Sequence, residues 1–175
     1  MLARLKPLLS LNRRIAYRKE VLSLISDCSV KLKIAPPTLE EYGQFVREVH
    51  DFLVKLDSPL RAMLLRALRL CMATKEHCQC LVDEEVHWVI VVCLEREQEF
   101  LVERTQALKL MKRFLACACD AFPPAFARSL VAVANSKDDN MRRVCMEVCL
   151  RWPAWKRVVP AESLSHPGTP TLHGS

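Results

Sequence analysis

An internal repeat constrains this chain more than any other feature. Arg66-Ala67-Leu68-Arg69-Leu70 aligns with Gln106-Ala107-Leu108-Lys109-Leu110 at an offset of 40, and the same step lands again on Met146-Glu147-Val148-Cys149-Leu150. Each copy keeps an apolar-x-apolar centre and varies mostly outside it. One such unit cannot bury its own apolar stripe, so successive units must stack and share a continuous core.

The helical character of the units follows from composition and punctuation. Gly occurs three times and aromatics are 6%, whereas 51% of the 175 residues are apolar, which suits helices better than a turn-rich sheet fold. Asn12 can cap a helix carrying Ile15, Val21, Leu22, Ile25 and Cys28 on one side. Pro36-Pro37 stops it, and Thr38-Leu39-Glu40-Glu41 reads as a capping box. Leu39, Tyr42, Phe45, Val46, Val49, Phe52, Leu53 and Leu56 then form one apolar stripe at spacings of three and four.

Ser58-Pro59 starts the next helix, with Pro placed where its missing N–H costs nothing. The short connection makes an αα-hairpin. Further helices are expected at Lys75–Val82, Glu84–Leu94, Phe100–Asp120 (stopped by Pro123-Pro124), Ala125–Ala134 and Met141–Trp152. A period near 40 with two or three helices per unit lies in the armadillo/HEAT range. The expectation is an all-α, armadillo/HEAT-like solenoid of stacked antiparallel helix pairs. Residues 1–11 read as a basic lead-in, 12–152 as the repeat domain, and 153–175, rich in Pro, Ser and Thr, as a disordered tail.

Charge is unevenly placed. Residues 1–35 carry eight Lys/Arg against two acids, whereas residues 36–150 carry 15 against 17. A positive end points to a local contact with an acidic protein or membrane surface, or to a solvated face, more than to a chain-long nucleic-acid footprint. The run Met1–Lys19, with six bases and no acid, also imitates a transit peptide. Pro7 and the Asn12-Arg13-Arg14 break argue against a secretory signal, so the nine cysteines are expected as reduced thiols in the cytoplasm. No stretch of about 18 apolar residues reads as an integral membrane segment.

Constellations for chemistry are weak. His77-Cys78-Gln79-Cys80 with His87 offers zinc-ligating types, but residues two apart on a helix diverge by about 200°. Cys117-Ala118-Cys119 meets the same objection, and Cys145 and Cys149 suit core packing. No cysteine has a nucleophile signature, and glycines at 43, 168 and 174 cannot cradle a phosphate. Acid pairs at helix starts suit the macrodipole. No catalytic residue, metal, cofactor, small-molecule substrate or nucleic acid is expected. Arg61, Arg66, Arg69, Arg104, Lys109, Lys112 and Arg113 are expected to be exposed; they either line a partner-binding face or keep the helices soluble.

The segment Val102-Glu103-Arg104-Thr105-Gln106-Ala107-Leu108-Lys109-Leu110 resembles the N-terminal region of the Rictor family, the rapamycin-insensitive companions of the TOR kinase. Glu103, Arg104, Thr105, Gln106, Ala107 and Leu108 carry the signature. Leu65-Arg66-Ala67-Leu68-Arg69 is similar to the family's preceding repeat helix. Phe122-Pro123, Ser129–Val133 and Asn135 resemble the stretch after it, and Met141–Cys145 the next helix. The resemblance implies a non-catalytic scaffold subunit of TOR complex 2, partnered by the TOR kinase and the other subunits, acting in survival signalling and actin organisation. Family members are many times longer and the likeness stops after Leu150, so a fragment, a truncated product or a divergent gene end is expected. The alternative is a general armadillo/HEAT adaptor that uses the basic N-terminal segment.

Overall fold

The computed structural model describes residues 37–55, 58–134 and 136–152. The lead-in 1–11, the helix expected from Asn12, the basic residues Arg13, Arg14, Arg18 and Lys19, and the tail 153–175 lie outside the described residues. Among those described, all regular structure is helical: α1 (Leu39–Lys55), α2 (Ser58–Cys71), α3 (Lys75–Asp83), α4 (Val86–Glu95), a 3-10 turn at Gln98–Phe100, α5 (Leu101–Cys117), α6 (Ala125–Ala134) and α7 (Asp139–Arg151).

Side chains near the helix starts account for several boundaries. The capping box at α1 forms in both directions: Glu41 N donates to Thr38 Oγ1 (3.3 Å) while Thr38 N donates to Glu41 Oε2 (2.9 Å), and these bonds hold the Glu41 carboxyl below its usual range. Thr74 caps α3 through the His77 N–H, and Asp138 caps α7 through the Met141 N–H (2.7 Å). Such caps satisfy donors that the helix itself leaves free.

Two boundaries depart from expectation. The helix expected from Glu84 begins at Val86, because Glu84 closes α3 and Glu85 turns the chain in the left-handed region at φ 57°. The helix expected to reach Asp120 ends at Cys117, where Ala118 leaves helical geometry at φ −149°. That break lets Phe122 fold back onto Phe114 (6.0 Å), Phe126 (5.1 Å) and Trp152 (5.0 Å between ring centroids). The edge-to-face contacts with Phe114 and Phe126 add about 0.5–1.5 kcal/mol each beyond their buried area.

The helices pack in two layers. α2 lies most extensively on α5, and α5 lies on α7; α1 and α6 both meet α4 on the other side. The pairs α1–α2, α4–α5 and α6–α7 join the layers, which gives a solenoid-like stack. The three copies of the repeat fall on α2, α5 and α7. Leu68, Leu108 and Val148, at corresponding places in the copies, are all buried, and each such side chain contributes about 1.5–3 kcal/mol by leaving water. On α7 the pattern changes: Leu150 is 82% exposed, while Leu110 is fully buried.

The stripe on α1 behaves as its spacing demands for Tyr42, Phe45, Val46, Val49 and Leu53, all buried. Leu39 is exposed at the helix start. No helix of the described residues is long and apolar enough to cross a membrane.

Candidate partner-binding face

The seven cations singled out on the repeat helices separate into two groups. Arg61 and Arg104 are buried, which corrects the expectation that they are exposed. The reason is their register: Arg61 precedes Leu65 and Leu68 by four and seven residues, and Arg104 precedes Leu108 and Met111 likewise, so both stand on apolar stripes.

A buried charge needs a partner, and each has one. Arg61 Nη1 donates to Glu103 Oε1 (2.9 Å) and its Nε donates to the Leu53 carbonyl. Arg96, at the end of α4, donates to the same Oε1 (3.4 Å) and lies over the Phe100 ring (4.0 Å). Arg104 Nε donates to the Leu94 carbonyl (3.3 Å). Burial pushes the Glu103 carboxyl up, but the neighbouring Cys93 and Ser58 side chains and the bond and charge of Arg61 outweigh burial and hold it below its ordinary value, although its second oxygen, Oε2, is shielded from solvent without a hydrogen-bond partner. One fully buried carboxylate therefore ties α2, the end of α4 and α5 together.

The family-like signature is built into this same joint. Thr105 Oγ1 reaches Met141 Sδ on α7 (3.5 Å), Ala107 and Leu108 enter the core, and Gln106 Oε1 is shielded from solvent without a hydrogen-bond partner. These residues hold helices to one another.

The remaining five cations are more open to solvent. Arg66 and Arg69 are half-buried on α2; on α5, Lys109 and Arg113 are exposed and Lys112 is half-buried. Arg113 Nε donates to the Met72 carbonyl at the end of α2 (3.0 Å), a favourable place for a cation. Burial, then the charges of Arg66 and Arg113, push the pKa of Arg69 below the usual guanidinium value. Lys112 and Arg143 both pair with Glu147 of α7, the latter at 3.0 Å.

Among the cysteine and histidine candidates, His77, Cys78, Cys145 and Cys149 are buried, Cys80, His87 and Cys117 are half-buried, and Cys119 is exposed. His77 Nδ1 accepts the Ala73 N–H (3.1 Å) and its ring stacks on Tyr42 at 4.6 Å. The Cys78 thiol is pushed up to about 12 by burial, which leaves it unreactive. Among the described residues no group of three His, Cys, Asp or Glu side chains is placed to hold a metal ion.

An apolar groove of ≈ 390 Å³ between α1 and α4, lined by Leu53, Val54, Trp88, Val89 and Val92 with Arg61 and Arg96, was not anticipated from the sequence. Its signal was present: α4 is apolar on every side, so Ile90, Cys93 and Leu94 fill the core while Trp88 (52%) and Val92 (59%) stay exposed.

The fold and face define an all-α, solenoid-like stack whose repeat helices carry a cationic surface. The chain belongs to the family described as the N-terminal region of the rapamycin-insensitive companion of mTOR, which it matches over residues 32–151. Among curated proteins it is similar to Protein pianissimo A of Dictyostelium discoideum, 32% identical over 125 residues, covering 69% of this chain and 11% of that protein. It is also similar to the rapamycin-insensitive companions of mTOR of Mus musculus and Homo sapiens, 35% and 34% identical over 92 residues, covering 51% of this chain and 5% of each. The match thus spans only a small part of the length of these relatives. No solved structure matches the chain.

Proposed function

We propose that this chain is a non-catalytic scaffold element of TOR complex 2, holding part of the complex together through the outer surface of its helical stack. The observation that carries the reading is the family match over 32–151, which takes in every described helix. Supporting it, several residues of chemistry-bearing types are occupied in structural roles: Glu103 in ion pairs, His77 in capping and stacking, Cys78 and Cys93 in the core. The partners on this reading are the TOR kinase and the other subunits of the complex, met in the cytoplasm, and the contact face is Arg66, Arg69, Lys109, Lys112 and Arg113 with their exposed neighbours.

A tagged full chain, expressed beside a full-length family member as positive control, tests this. Recovery of TOR kinase by the chain, weakened by charge reversal at Lys109 and Arg113, is the expected outcome. Recovery by the control alone would overturn it.

A further inference from the structure

Three guanidinium groups gather on the α2–α5 seam, and no carboxylate of the described residues answers them. Arg66 and Arg69 stand one turn apart on α2, and Arg113 reaches the end of that helix from α5. The charged groups that act on Arg69 are Arg66 and Arg113, and its half-buried guanidinium has a solvent-shielded Nε without a hydrogen-bond partner. The acids nearby are committed elsewhere. α2 contains none, Glu103 of α5 lies about 15 Å up its helix by the 1.5 Å rise per residue and is held by Arg61 and Arg96, and Glu147 is held by Lys112 and Arg143. Glu76, which like Arg113 acts on Cys78, is held at the start of α3 by its own N–H and the Thr74 side chain. Lys109, exposed one turn before Arg113, adds to the excess.

Like charges collected in this way cost the fold stability. They become favourable when a compact, multiply charged anion sits among them, because fork-shaped guanidiniums match tetrahedral oxygens two at a time. We propose that Arg66, Arg69 and Arg113 form a phosphate-binding site that takes a phosphorylated serine or threonine side chain of a partner protein.

A phosphomonoester brings about −1.5 to −2 charges and three acceptor oxygens to a single point, whereas carboxylates bring one charge each and arrive spread along a chain. A lipid surface fits less well. A membrane contact wants exposed apolar side chains beside the cations; α2, which carries two of the three arginines, has no large exposed hydrophobic residue, those of α5, Leu101 and Val102, lie at its opposite end, and the exposed Met146 and Leu150 belong to α7, which supplies none of the three. The inference goes beyond the scaffold reading and stands without it, since phosphate recognition is measurable on the chain alone.

The test uses the full chain and a fluorescent Gly/Ala peptide carrying one phosphothreonine, with Thr and Asp versions of the same peptide and phosphatidylcholine vesicles containing phosphatidylinositol phosphate. Anisotropy should show the phosphopeptide binding at least about tenfold more tightly than either relative, with affinity falling as salt rises. Arg69→Gln and Arg66→Gln should each weaken it at least about fivefold, while Lys137→Gln on the α6–α7 connection should leave it unchanged. Circular dichroism melts confirm folding of each variant, and Arg66→Gln carries the test if Arg69→Gln does not fold. Equal binding of phospho- and Asp-peptides, or variants that bind as the parent does, would overturn the proposal. So would capture by the vesicles that the phosphopeptide does not compete away.

Discussion

The two ends of the α2–α5 interface hold the same kind of side chain in opposite circumstances. At one end Arg61 and Arg96 converge on Glu103, which is fully buried. Further along, Arg66, Arg69 and Arg113 meet with no acid of the described residues among them. The difference is one carboxylate, and it decides whether a cluster of arginines fastens helices together or waits for an anion from outside. Cations at the first end are structural because their counter-charge is in the chain. At the second end no described residue supplies one.

The comparison breaks most severely at Glu103. Glu103→Ala leaves Arg61 buried without its carboxylate, and removal of one partner from a buried pair typically costs about 3–5 kcal/mol. Urea unfolding followed by circular dichroism should show a loss of that order, and a loss under about 1 kcal/mol would mean that the joint behaves like a surface pair.

The same joint has a pH signature. Because the Glu103 carboxyl is held below its unfolded value, which lies near 4.3, its contribution is fully present above that pH and disappears as pH falls through the folded value. The stability gap between the parent chain and Glu103→Gln should be constant from neutral pH down to about 5 and narrow below about 4. A gap that widens on acidification would contradict the assignment of the charge.

At the uncompensated end the effect has the opposite sign and is smaller. Arg69→Leu removes a half-buried cation with a solvent-shielded, unpartnered Nε and two like-charged neighbours, so the variant should be as stable as the parent or gain up to about 1 kcal/mol. Millimolar inorganic phosphate should raise the thermal midpoint of the parent and leave that of Arg69→Leu where it was. A strongly destabilised Arg69→Leu would give the residue the structural role that Arg61 has.

How much of this was legible in the sequence depends on the reach of each signal. Local chemistry reads well: Thr38 and Glu41 fix the start of α1, Ser58-Pro59 that of α2, and Pro123-Pro124 that of α6. Boundaries set by tertiary contact do not. α5 ends early because Phe122 has aromatic partners on α6 and past α7, and nothing near Ala118 announces them. Residue type alone puts Arg61 and Arg104 outside, whereas their spacing from Leu65, Leu68, Leu108 and Met111 puts them inside. Glu103, a member of the family-like signature, shows the same pattern through Ala107 and Leu110. An acid and a base both lying on apolar stripes about one repeat apart are a readable sign of a buried pair.

The smallest effect probes the border between the two ends. Glu147 neutralises Lys112 and Arg143 at the α7 edge of the face, with a third of its side chain exposed. A pair this open contributes less than about 1 kcal/mol to stability, so Glu147→Gln should fold as the parent does. Its charge matters more for what the face binds. Removing it frees two cations beside the seam, and phosphopeptide affinity should rise about two- to fivefold at low salt, with most of the gain lost at about 0.5 M salt. Unchanged affinity would show that the anion is held by Arg66, Arg69 and Arg113 at close range, and that the wider positive field of α5 and α7 contributes nothing to it.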